Sequence, residues 1–140
     1  MKTVLYICCL FMMTSLEAQS AIVGKTYTAH IGSSCEEVIG DDSCAGLEIY
    51  MELYFEENNV DVIEVSINSC DERISEIIDG FPWHWVKNKH WTIVLGDLER
   101  TKYTSIENIR LTMRNGKLIG EKLNDKGNVV QEYNFDENTN

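Results

Sequence analysis

Phe81-Pro82-Trp83-His84-Trp85, followed closely by His90-Trp91, gathers all three tryptophans and two of the three histidines into one short stretch. Register decides what these side chains face. A loop of Lys87-Asn88-Lys89 pairs Val86 with His90 and Trp85 with Trp91, so that Trp83, Trp85, Trp91 and Ile93 share one face. On this register His84 pairs with Thr92, and His90 is its diagonal neighbour, about 7–8 Å away. A loop one residue shorter scatters the tryptophans over both faces, so the first register is expected. Tryptophans on one face read first as core packing, because large rings dominate core energetics. They read second as the wall of an apolar ligand pocket. His84 and His90 read as exposed strand residues; a metal site there would need Cys70 or a carboxylate to complete it, and no metal is expected.

The second place for chemistry is the loop that holds Glu36, Glu37, Asp41 and Asp42 between Cys35 and Cys44. Four carboxylates could hold calcium, but the D-x-D-x-D-G spacing is missing and apolar residues interrupt the cluster. A solvated or partner-facing acidic loop is the expectation. Cys35 and Cys44 are the expected disulfide, closing a loop short enough to restrict the unfolded chain by about 2–3 kcal/mol. Cys35–Cys70 and Cys44–Cys70 stay open. A leftover Cys70 is either buried and inert or exposed and able to link two chains. Zinc is not expected, since neither C-x-x-C nor H-x-x-x-H occurs.

Motifs for nucleophile elbows, zinc proteases, phosphate loops and dinucleotide binding are all absent. A carboxylate pair drawn from distant strands would leave no spacing signal, so catalysis is less expected rather than dismissed. The formal charge of −11 repels phosphate backbones, and nucleic-acid binding is not expected.

The elements that position these residues are strands. Leu47, Ile49, Met51, Leu53 and Phe55 alternate with polar residues and tyrosines, including Tyr50 and Tyr54. Ile63, Val65 and Ile67 repeat the pattern, as do Ile109, Leu111 and Met113, and then Val129, Gln131, Tyr133 and Phe135. Further strands are expected at 25–31, 81–86, 90–95 and 117–123. Only 70–78 suggests a short helix, with Ile74, Ile77 and Ile78 at i, i+3, i+4. Asn115-Gly116 is the strongest hairpin signal. It sets Met113 opposite Leu118, Leu111 opposite Gly120, and Arg110 opposite Glu121 as an exposed pair of small worth. Gly120 inside a strand suits a bend or bulge. The expected fold is all-β, an antiparallel up-and-down β-barrel of about eight strands with at most one short helix, and a β-sandwich as the alternative.

At the start of the chain, Lys2, the apolar run Val4–Met13 and the small residues of Ala18-Gln19-Ser20 have the layout of a secretory signal. The run is too short for the ~20 residues that span a bilayer, so no transmembrane segment is expected. Residues 1–20 are read as the signal, and 21–140 as a single exported domain, periplasmic or secreted. Gly24-Lys25-Thr26-Tyr27 then opens the first strand, and hairpins follow in up-and-down order. This arrangement resembles the lipocalin-like small barrels over most of the domain. The family's Gly-x-Trp is not met, because Thr26 holds the third position and Tyr27 comes one residue late. The resemblance implies a barrel that could hold an apolar ligand, while the short chain leaves a filled interior equally open.

These readings converge on an exported, monomeric binding protein without a cofactor. Its expected ligand is a small apolar or amphipathic molecule held by Trp83, Trp85 and Trp91, with Tyr50 and Tyr54 as outer contacts. The alternatives are an acidic inhibitor or interaction protein that meets a basic partner through Glu36–Asp42, and a small hydrolase or metalloprotein using His84 and His90.

Overall fold

Asn115 and Gly116 adopt φ of 52° and 77°, the left-handed pair that a two-residue hairpin needs. The hairpin they close joins β6 (Ile109–Arg114) to β7 (Lys117–Leu123) in the expected register: Met113 with Leu118, Leu111 with Gly120, Arg110 with Glu121. In the computed structural model, six further strands complete a closed barrel. They are β1 (Thr26–Ser34), β2 (Leu47–Phe55), β3 (Asn59–Asn68), β4 (Arg73–Lys87), β5 (Trp91–Leu95) and β8 (Val129–Glu137). Each strand pairs antiparallel with its sequence neighbours, and β8 returns to β1. A single helical turn, α1 (Thr104–Glu107), precedes β6. The structure describes residues 21–35, 46–87, 90–98 and 104–138. The expected signal segment lies outside these residues, as do Cys44 and the acidic-loop residues Glu36, Glu37, Asp41 and Asp42. No described helix is long and apolar enough to cross a membrane.

The interior is filled by side chains. Leu53, Phe55, Val60, Val62, Leu111 and Leu118 have no exposed surface, and Ile106 of α1 is equally buried. Ile22 adds to this core ahead of β1, where a turn is held by Gly24 N–H donating to the Phe55 carbonyl at 2.7 Å. Each such side chain contributes about 1.5–3 kcal/mol by leaving water. Gly120 lies in straight β7, not at a bulge. It is required by packing: a Cβ there would stand 2.8 Å from Cε2 of Phe135 and 3.2 Å from Cγ2 of Ile109.

The segment 70–78 is not helical. Asn68 Oδ1 accepts the backbone N–H groups of Cys70 (3.0 Å) and Glu72 (2.9 Å), Asp71 takes φ 62°, and the chain turns back along β3. Ile74 and Ile77 lie on opposite faces of an unbroken stretch of β4, and an extra residue at Ile78 shifts the alternation only beyond them. Ile74 and Ile77 are each 68% exposed, and of the three isoleucines only Ile78 packs against the core. The Glu121 expectation also needs correction. Its carboxylate is 4% exposed and is clamped by Arg110 Nη2 at 2.6 Å and by Arg114. Burial works against its ionised form, but the hydrogen bonds and charge of the two guanidiniums outweigh it and hold the pKa below the usual value.

Candidate functional site

β4 and β5 bring the tryptophans to one end of the barrel. Their register pairs Trp83 with Leu95, Trp85 with Ile93 and Lys87 with Trp91. This is two residues beyond the expected register, so parity is preserved and Trp83, Trp85, Trp91 and Ile93 do share the inward face. The histidines fare differently. His84 lies opposite Val94, not Thr92, and His90 falls before β5, out of diagonal reach; both are exposed. Among the described residues no three of His, Cys, Asp and Glu gather in a metal-binding group.

Along the inward face runs a ladder of rings in edge-to-face contact. Tyr27 meets Phe55 (5.9 Å between centroids), Phe55 meets Trp83 (5.3 Å), Trp83 meets Trp85 (6.0 Å) and Trp85 meets Trp91 (5.9 Å). Each such pair adds about 0.5–1.5 kcal/mol beyond simple burial. The inner half is structural: Trp83 is 5% exposed, and its Nε1–H donates to the carbonyls of Glu56 (3.0 Å) and Asn59 (3.1 Å). The outer half is different. Trp85 and Trp91 are only partly buried, and Lys87 Nζ stands 5.2 Å from the Trp91 ring centroid. Trp85 Nε1 is buried with no hydrogen-bond partner among the described residues.

Beside Trp85 and Trp91 opens a cavity of about 200 Å³, walled also by Ile22, Tyr27 and Met113. Its rim carries Lys25 and Glu137, joined at 3.0 Å. The hydrogen bond to Glu137 raises the Lys25 pKa, and burial pushes the Tyr27 phenol up, so at neutral pH the site presents an ammonium and a neutral phenol. Chemically this is an apolar cup with a polar lip. Charge separation at the lip can meet a polar head group, and the rings can enclose an apolar tail.

Of the expected ligand contacts, Trp85 and Trp91 line the cavity and Trp83 backs it. Tyr50 and Tyr54 lie on the outer face of β2, where Tyr50 packs against His30 (5.2 Å), and neither reaches the cavity. The sequence reading missed Lys25, Glu137, Ile22 and Met113. Lys25 and Glu137 are too far apart in the chain for any local signal, although Tyr27 stood out already as the aromatic opening the first strand. The expected Cys35–Cys44 bridge is not formed, because Cys35 is an exposed free thiol. Cys70 is instead disulfide-bonded. The short distance between Cys35 and Cys44 along the chain had favoured a pairing that the fold does not use. No protein-family model, curated protein or solved structure matches this chain.

Proposed function

We propose that the protein is an exported, lipocalin-like barrel that binds a small apolar or amphipathic molecule at its tryptophan-walled mouth. The observation carrying this reading is the cavity beside Trp85 and Trp91, at the outer end of the aromatic ladder. A void of about 150 Å³ already admits benzene, whereas drug-sized sites run to about 300–1,000 Å³. The ligand or its inserted end is therefore about one ring or a short alkyl chain in size. The Trp85 N–H, unpaired among the described residues and costly to bury at about 1–3 kcal/mol, favours a ligand with a hydrogen-bond acceptor near that ring. Export is compatible with the packing, because Ile22 is already a core residue and cleavage after Ser20 would leave it in place.

The test is a titration with three single-ring probes: neutral p-cresol, anionic 4-methylbenzoate and cationic 4-methylbenzylammonium. The indole N–H resonances of the tryptophans are read by NMR. Saturable shifts at Trp85 and Trp91, with Trp83 nearly still, are expected for at least one probe. Three unperturbed indoles with all probes would overturn the reading.

A further inference from the structure

Closing a barrel removes strand edges, and here the closure is partial. β8 and β1 share two residue pairs, Tyr27 with Glu137 and Thr28 with Asp136, extended by Asn138 N–H donating to the Thr26 carbonyl at 2.9 Å. Above that point each strand carries an extra residue, Ile31 in β1 and Val130 in β8. Bulges bend their strands, and β1 and β8 share no further pair. Between them on the outer surface lies a groove of about 510 Å³. Thr28, His30 and Tyr50 form one bank, and Glu132, Asn134 and Asp136 the other.

The β8 bank offers a strand edge. Asn138 N–H points to β1, so by alternation the backbone groups of Asp136, Asn134 and Glu132 point the same way. Those of Asn134 and Glu132 meet no strand among the described residues. The devices that guard this edge are the bulge at Val130 and the carboxylates of Glu132 and Asp136. Val129 (45% exposed) and Val130 (59%) begin the edge, and every residue from Val129 to Glu132 is exposed. Neither lysine nor proline, the usual guards of a free edge, occurs in β8.

Charge selects the occupant. Glu132 and Asp136 flank the groove, with Glu132 sharing Arg114 at 3.4 Å. His30 is engaged by Glu48 at 2.5 Å. A second copy would bring its own carboxylates and a further charge of −11 against the same bank. We propose that the open seam accepts an extended, lysine- or arginine-bearing segment of a partner protein, added as a strand antiparallel to β8. Main-chain hydrogen bonds to Glu132 and Asn134 would hold it, and alternate cationic side chains would meet Glu132 and Asp136. This surface is separate from the tryptophan mouth and does not depend on a ligand there.

The probe is a short peptide alternating lysine and threonine, with its glutamate–threonine counterpart as control, and the readout is amide hydrogen exchange in the protein. The lysine peptide should slow exchange at the Glu132 and Asn134 amides by about tenfold or more. The protection should weaken with rising salt through screening, and it should fall in Asp136→Lys. Asn134→Pro, which removes a seam N–H at a position where an edge tolerates proline, should abolish it while tryptophan emission stays native. Failure to bind would overturn the proposal, and so would binding that leaves those two amides unprotected or equal protection by the glutamate peptide. Protection that grows with protein concentration alone would assign the seam to a second copy instead.

Discussion

Trp83 and Trp85 stand two residues apart on the same face of one strand, yet they meet opposite fates. Trp83 is enclosed, its ring wedged against Phe55 and its N–H shared between two carbonyls. Trp85 is half-buried beside a cavity, with its N–H unpaired among the described residues. Residue type and strand parity are the same for both; depth along the barrel axis differs. Only where the interior stops being filled does an aromatic side chain become available to a ligand. The tryptophan cluster is therefore neither wholly core nor wholly site, and the boundary runs between Trp83 and Trp85.

Substitution can break that boundary. Trp83→Ala should cost about 3–5 kcal/mol in urea unfolding, the loss typical of a large ring removed from a filled core. A loss below about 1 kcal/mol would mean that the inner ladder is not structural. Glu121→Gln supplies a destabilised control away from the cavity, with an expected loss of about 1–3 kcal/mol because two guanidiniums lose their shared carboxylate and one of them is well exposed. Its pH dependence has a definite sign. The Glu121 pKa is lowered by folding, so its contribution is complete above the ordinary value of 4.5 and is lost as pH falls through the lowered folded value. The gap between wild type and Glu121→Gln should therefore narrow in acid, while probe binding at neutral pH stays unchanged.

Two smaller effects sharpen the contrast. Trp85→Ala should cost only about 1–2 kcal/mol of stability, since the ring is partly exposed, yet weaken probe binding by about tenfold or more. Equal losses in Trp83→Ala and Trp85→Ala, with binding unaffected, would return both rings to the core. Lys25→Met should change stability by less than about 1 kcal/mol, as an exposed ion pair does. Its effect should appear as selectivity, with 4-methylbenzoate weakened relative to p-cresol. Identical changes for the two probes would remove Lys25 from the lip.

Much of the fold was legible because strands announce themselves by local alternation. The 47–55 pattern and the Asn115-Gly116 turn named their elements, and at Asn115 the register followed from backbone geometry alone. Where the turn was less specific, between Trp85 and Trp91, parity came out right and register was off by two; this kept the tryptophans together and separated the histidines. The segment 70–78 misled because its isoleucines, spaced as on a helix face, lie on both faces of a strand, with the bulge at Ile78 only beyond Ile77. Arg110 opposite Glu121 was readable as a pair, but its burial was not, because Arg114 reaches across the sheet to join it.

Alternation, turn chemistry and length, all properties of neighbours in the chain, were enough to determine an all-β antiparallel fold with its tryptophans on one face and to favour a barrel over a sandwich. Which of those tryptophans borders empty space, which distant charges rim it, and where β1 and β8 part were decided only by tertiary structure. The physical reason is range. Hydrogen-bonded alternation acts between residues close in sequence, whereas a cavity and a seam are set by how all eight strands stagger and bulge together around one core.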